Sequence, residues 1–274
     1  MSLQKLKVAV INMNVTSVYE DNVQKAWDFI KQAQQNGADL ISLPEMFVFS
    51  GEPEMLPLIA RSCQEQLLPK MQEYAKKNKL AILTGSIPTF DSSSKKPYNE
   101  AYFIGNEGDI LSRYRKTHLF QLSSSQHNID ESSNYQAGKD LAVFDYLGWR
   151  IGISICFDLR FSALFQSMSK EKPLDLLFLP SAFTKLTGQA HWHTLIKARA
   201  IEFQCYVAAA NQCGVNAKNV PQYGHSLIVG PWGEVLQDAA EIEKFNIEEV
   251  SLKQITTARE KIPMTGNQRH DLYL

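Results

Sequence analysis

The chain has 274 residues, enough for one large domain with a substantial core. Its 44% hydrophobic and 21% charged residues exclude a disordered tail, a collagen-like repeat and a disulfide-dense miniprotein. With 28 Lys and Arg against 29 Asp and Glu, it lacks the basic footprint of a nucleic-acid or anionic-membrane binder, so small molecules or proteins are the expected partners.

Met1-Ser2-Leu3-Gln4-Lys5 is not followed by an apolar signal region, and no apolar run approaches the ~18 residues that span a bilayer. Cys63, Cys156, Cys205 and Cys213 contain no CxxC pair, which fits reduced thiols and a cytoplasmic location. Lys7 to Ile11 reads as a strand. Val23, Ala26, Trp27 and Ile30 then form a helical stripe that Gly37 can end. Leu40 to Leu43 reads as a strand buried on both faces, and Ala81 to Ser86 as another. The second half repeats the plan. Arg150 to Ile155 is a strand, Phe161, Leu164, Phe165 and Met168 a stripe, and Leu176 to Leu179 and Tyr206 to Ala210 are strands.

The repetition extends to the residues themselves. Ala38 to Phe47 lines up with Leu174 to Phe183, and Phe103 to Leu111 with Ile228 to Leu236, in the same order. Two βαβ halves, each ending in a Gly-turned hairpin, predict a single α/β domain over residues 1–274, with one sheet split in two or two sheets packed together and the helices outside. The polar stretch Gln121 to Lys139 reads as a functional loop between the halves. Ala239 to Leu274 reads as a final strand and a tail, which from about 250 is expected to pack on a partner subunit.

Ligands of open α/β sheets bind at the carboxyl ends of strands, and two reactive residues fall there: Glu45 after Leu43-Pro44, and Cys156 after Gly152-Ile153-Ser154-Ile155. A thiol and a carboxylate on one rim suggest nucleophile and base. A helix start just past Cys156 would favour the thiolate, whereas a buried structural thiol is the alternative. Lys116, in Tyr114-Arg115-Lys116-Thr117-His118-Leu119, is a candidate oxyanion-stabilising cation. His191 and His193 lack a third ligand in sequence, so neither metal nor cofactor is expected.

Taken together, Leu43-Pro44-Glu45-Met46-Phe47, the lysine segment and Ile155-Cys156-Phe157-Asp158-Leu159-Arg160-Phe161 resemble the glutamate, lysine and cysteine motifs of the nitrilase superfamily of carbon–nitrogen hydrolases. The resemblance covers almost the whole chain. It implies a four-layer αββα sandwich of two duplicated halves and a cofactor-free amidase in which Cys156 forms a thioester. Glu45 would be the acid/base, and Lys116 with the Phe157 N–H would hold the oxyanion. Glu131 fits the family's second glutamate, although its loop lacks the usual Pro-Gly.

Pro180-Ser181-Ala182-Phe183-Thr184, Ala190-His191-Trp192 and Lys197 to Glu202 resemble the Nit branch of that superfamily, which holds omega-amidases and deaminated glutathione amidases; Gln204 to Gly214 leans toward the latter. Ile262-Pro263 and Asp271-Leu272-Tyr273 also fit that branch. The implied substrate is a 2-oxo dicarboxylic acid monoamide. Arg160, with Asp158 as its alternative structural partner, is a candidate for the substrate carboxylate, and Phe157, Phe183 and Thr184 are candidates for the pocket wall. Arg199 reads as a buried arginine paired with Glu202. A homodimer or larger homo-oligomer is expected. Competing readings are an N-carbamoyl-amine hydrolase, a nitrilase, or an idle scaffold that keeps the fold.

Overall fold

The computed structural model describes residues 4–91, 94–123 and 128–264, with positions 267, 269 and 272 beyond them. Asp271 and Tyr273 of the C-terminal resemblance lie outside the described residues.

The first half runs β1 (Lys5–Asn12), α1 (Tyr19–Gln35), β2 (Leu40–Ser42), α2 (Leu56–Ser62), α3 (Leu68–Asn78), β3 (Ala81–Leu83), β4 (Ile87–Thr89), β5 (Tyr98–Ile104) and β6 (Ile110–Arg115). The stretch expected as one strand from Ala81 to Ser86 stops at Leu83, because the chain turns at Gly85 before β4. A two-stranded ribbon, β7 (Gln121–Ser123) and β8 (Asn128–Asp130), occupies the polar connection. The second half follows as β9 (Ala142–Tyr146), β10 (Trp149–Ile153), α4 (Ser162–Met168), β11 (Leu176–Phe178), α5 (Lys185–Phe203), β12 (Tyr206–Ala209), β13 (Leu227–Val229) and β14 (Val235–Asp238). The chain then returns through β15 (Lys244–Ser251) to α6 (Leu252–Lys261).

Two sheets result. One has the order β15-β1-β2-β3-β5-β4 with β6 paired to β5, and the other β14-β13-β12-β11-β10-β9. Each contains a parallel trio, β1-β2-β3 or β10-β11-β12, flanked by antiparallel strands. The duplication is structural as well as sequential. Both hairpins close with the same bonds: Gly105 N–H to the Asp109 carbonyl and Gly230 N–H to the Glu234 carbonyl, each at 2.9 Å. Both also shift register at matching positions, Phe103/Ile104 and Ile228/Val229.

Strand alternation explains the layers. Leu6, Val8 and Val10 of β1 point toward the second sheet and pack in one cluster with Ile151, Ile153 and Phe178. Ala9 and Ile11 point the other way and pack with Ala26 and Ile30 of α1 and Met71 of α3. Phe165 of α4 and Trp192, Ile196 and Ala200 of α5 pack with the second sheet. With both faces covered, the central strands read as continuous apolar runs. The architecture is the four-layer αββα sandwich.

The first part of the tail packs on the chain's own body. Val250 and Ile255 are buried in the chain's own core, the Gln204 amide donates to the carbonyls of Ala258 and Ile262, and Arg259 pairs with Asp175 at 3.2 Å. Residues 250–262 therefore dock on their own body, because β15 pairs along the whole of β1 and delivers α6 beside β12. Among the described residues no helix is long and apolar enough to cross a membrane.

Phe103 joins the sheets. Its ring lies 4.7 Å from Phe144 and 6.4 Å from Phe178 across the interface. Phe103→Ala is expected to remove about 3–5 kcal/mol of stability through the lost burial and the cavity. A lower urea midpoint at unchanged m-value measures it.

Candidate active site

Glu45 follows β2 at a sharp turn held from several sides. Met46 N–H donates to Ser86 Oγ at 3.0 Å, and Ser86 N–H donates to the Pro44 carbonyl. Gly85 lies beneath the turn with φ +63°, and a Cβ there would stand 2.0 Å from the Pro44 oxygen, so only glycine fits. Gln212, from the other half, donates its side-chain amide to the Glu45 carbonyl at 2.8 Å. The Asn99 amide donates to Glu45 Oε1 at 2.8 Å.

Lys116 follows β6, and its backbone bonds on both sides, N–H to the Asn99 carbonyl and carbonyl to the Gly138 N–H, carry its side chain inward. Its Nζ donates to Glu45 Oε1 at 2.8 Å and to Glu131 Oε1 and Oε2 at 3.0 and 2.7 Å. Burial alone would lower the ammonium's pKa, but Glu131 and Glu45 hold it well above its usual value. Glu131 opens a short 3₁₀ turn after β8, and its Oε2 accepts from Phe120 N–H at 2.8 Å. Burial pushes its carboxyl up, opposed by Lys116 and reinforced by Glu45.

Cys156 begins a five-residue 3₁₀ turn, Cys156–Arg160, at the carboxyl end of β10. It holds a left-handed φ of +49°, a strain of about 1–3 kcal/mol in a non-glycine residue. This turn stands where a helix start was expected, the α-helix α4 begins only at Ser162, and the thiol moves opposite to the thiolate expectation. Burial, then the charge of Glu45, pushes it well above its usual pKa, with Lys116 and a backbone bond from Ala182 opposing. Cys156 therefore rests as a thiol whose proton must be taken away.

Asp158 latches the lysine segment to the cysteine turn. It is fully buried and accepts from Ile155 N–H and Tyr114 O–H at 2.8 Å, and from His118 N–H and Thr117 O–H at 3.1 Å. His118 Nδ1 lies 2.7 Å from the same carboxylate. Asp158 thus serves the backbone around Lys116, and the alternative pairing with Arg160 does not form. Arg199 does pair with Glu202, at 2.7 Å, and also holds the Leu159 carbonyl from α5.

Glu45, Glu131 and Cys156 line one cavity of about 560 Å³, which Phe157, Arg160, Phe183 and Thr184 also line. Lys116 is buried beneath it. Phe183 stacks against Trp192 and anchors its N–H on Asn211, so it builds the wall more than it offers surface. Thr184 caps α5, accepting from Thr187 N–H. Arg160 contacts His191 Nδ1 at 3.2 Å, and among the described residues no carboxylate pairs with it. The six positions Asn99, Gln212, Gly85, Asp158, Tyr114 and Thr117 hold the site without having been recognisable as site residues from the chain alone. Only the proximity of Tyr114 and Thr117 to Lys116 hinted at a role.

The carbon–nitrogen hydrolase family model matches residues 7–260. Human "Omega-amidase NIT2" is 34% identical over 272 residues, which cover 99% of this chain and 98% of the human one. The crystal structure of the Caenorhabditis elegans NitFhit protein superposes with a TM-score of 0.93 at 34% identity, covering all of this chain and 67% of that one. Saccharomyces cerevisiae Nit3, described as a member of branch 10 of the nitrilase superfamily, gives 0.86 at 28% identity over 97% of both chains.

The Asp158 latch yields a first functional expectation. Asp158→Asn keeps the volume but turns an NH₂ toward groups that donate, leaving buried donors unpaired at about 1–3 kcal/mol each. Calorimetry should record a lower Tm, and steady-state amidase assays a lower kcat. An unchanged kcat would mean that Lys116 and Cys156 hold their places without it.

Proposed function

Because this chain belongs to the carbon–nitrogen hydrolase family and is an amidase by that membership, we propose that it hydrolyses the terminal amide of a 2-oxo dicarboxylic acid, as an omega-amidase, through a thioester on Cys156. One observation carries the mechanism: a buried ammonium held between two carboxylates beside a protonated thiol at the base of a single cavity. The sequence segment Gln204 to Gly214 leans toward deaminated glutathione as substrate; the human relative, similar over the whole chain, carries the name omega-amidase, and that name favours the shorter monoamide.

In this reading Glu45 takes the Cys156 proton as sulfur bonds to the amide carbon. Lys116 and the Phe157 N–H receive the developing oxyanion, and Glu131 holds Lys116 in place. Glu45 then returns the proton to the leaving nitrogen as the C–N bond breaks, releasing ammonia. A water, deprotonated by Glu45, attacks the thioester; the carbon–sulfur bond breaks, and the thiol is restored with the free acid as product. Arg160, a partly buried guanidinium without a carboxylate partner among the described residues, would bind the substrate carboxylate. Phe157, Phe183 and Thr184 would shape the wall around it.

The proposal extends to the setting. Four free, buried cysteines suit the cytoplasm. The exposed side chains Ile201, which lies over Gly233, and Trp232 suit a homodimer or larger homo-oligomer.

Incubation with 2-oxoglutaramate followed by rapid acid quench and mass spectrometry should find the acyl group on Cys156, and Cys156→Ala and Cys156→Ser should lose nearly all turnover. Substantial activity in Cys156→Ala would remove the nucleophile assignment. Glu45→Gln preserves volume but not the proton shuttle, and its kcat should fall ~10²–10⁴-fold.

Substrate choice has its own measurement. Arg160→Met should raise KM for a carboxylate-bearing amide more than it lowers kcat, while barely changing a carboxylate-free amide of similar length. If the wild-type chain prefers the neutral amide, the 2-oxo acid assignment falls and the amidase reading stands.

A further inference from the structure

The sequence pairs His191 with His193 but supplies no third ligand. The fold separates them: His191 turns to Arg160 at the cavity, while His193, two residues along α5, faces the other sheet edge. There it meets His225, just before β13, and Asp238, the last residue of β14. The ligating atoms of His193, His225 and Asp238 all lie within 4.8 Å of one another. We propose that these three side chains bind one zinc-class divalent cation, separate from the amidase chemistry.

The spacing fits. Two ligands of a tetrahedral zinc with bonds near 2.0–2.1 Å stand roughly 3.4 Å apart. His193 Nε2 is 3.2 Å from Asp238 Oδ2, and His225 Nδ1 is 2.9 Å from Oδ1. An ion replacing the shared protons needs only small movements. The donor set of two imidazoles and one carboxylate is the kind that zinc prefers over magnesium or calcium.

The surroundings pre-set the ligands. Tyr223 Oη lies 3.4 Å from His193 Nδ1, the ring nitrogen away from Asp238, and accepting from an Nδ1–H there would leave the Nε2 lone pair for the ion. The Tyr223 ring stacks on His225 at 4.4 Å and meets His193 edge-on at 5.9 Å. Ala240 N–H fixes Asp238 Oδ1 at 2.7 Å. Among the described residues no Lys or Arg pairs with Asp238, so the two imidazoles are its ion-pair partners there. The three side chains are 33%, 20% and 32% exposed, which leaves a path for an ion and a fourth position for water.

Bound there, the cation would tie α5 to the β13–β14 hairpin. Trp192 of α5 already donates its indole N–H to the His225 carbonyl at 2.7 Å and supports Phe183 of the cavity wall. The consequence is a brace behind the pocket.

The test titrates the full-length Cys156→Ala chain, which lacks the cavity thiol as a competing ligand, with Co²⁺ and then Zn²⁺. The expected result is one Co²⁺ per chain at micromolar concentration, with d–d bands of nitrogen and oxygen coordination and no sulfur charge-transfer band. Zn²⁺ should displace it and raise Tm. His193→Gln, on a half-exposed helix face, and Asp238→Asn, each confirmed folded by circular dichroism, should weaken uptake at least tenfold. A folded chain that takes up no ion at 100 µM, or whose uptake survives both substitutions, overturns the proposal.

Discussion

An ammonium with 1% of its side chain exposed can stay charged only among negative partners, and the site is organised around meeting that need for Lys116. Glu45 and Glu131 answer it from opposite sides, one from the carboxyl end of β2 and one from the ribbon between the halves. The pairing costs each group its hydration, so everything that holds it must be exact in position. Asn99 and Gln212 hold Glu45, Phe120 holds Glu131, and Asp158 ties both flanks of Lys116 to the cysteine turn. Two carboxylates against one ammonium leave negative charge beside Cys156. Burial first, and that excess with it, pushes the thiol's pKa up, and the same excess places an acceptor for its proton nearby.

The duplicated halves divide the labour. Val8 pairs beside Leu40 and Ile151 beside Leu176, so Met13 holds in the first half the place that Cys156 holds in the second. Met13 is fully buried and bridges to Gln212, the residue that supports Glu45. Ser181, the counterpart of Glu45 in the aligned segments, is also fully buried and spends its hydroxyl on the Leu179 carbonyl. In the proposed mechanism, one copy of each strand end carries chemistry and the other carries structure. The seam between them is polar: Asn12, Asn211 and Ser226 are buried and bonded to one another or to nearby backbone. Satisfied polar groups of this kind fix one register between two sheets whose apolar faces alone would tolerate sliding.

Much of this was legible in the chain. Apolar runs too continuous for a half-exposed strand announced sheets buried on both faces, and the repeated segments announced two copies of one unit. Glu45, Lys116 and Cys156 each follow a regular element, where a polar residue is conspicuous, whereas Glu131, inside a polar loop, was legible only through the resemblance. The thiol's electrostatics were not legible, because a nearby helix start suggests a lowered pKa and the burial that overrides it is a property of the assembled core. Asp158 was read beside Arg160 by proximity along the chain, whereas all its partners but the Ile155 N–H lie some 40 residues away. Nor did the tail declare its place: β15 occupies beside β1 the position that β9 occupies beside β10, and this exchange of a terminal strand for a preceding one leaves no mark in local composition.

The sequence by itself determined the order of strands and helices, the duplication and the reactive residue types, because periodicity, turn chemistry and strand ends are local and are set by backbone sterics and the hydrophobic effect. Only the tertiary structure decided which charges face one another. It gave Asp158 to the lysine segment, set His193 apart from His191, left Arg160 without a carboxylate partner among the described residues, and turned the tail back onto its own body. Those outcomes depend on distances of a few ångströms between residues far apart in the chain. Coulomb energies and hydrogen bonds act at that range, and no spacing along a sequence encodes it.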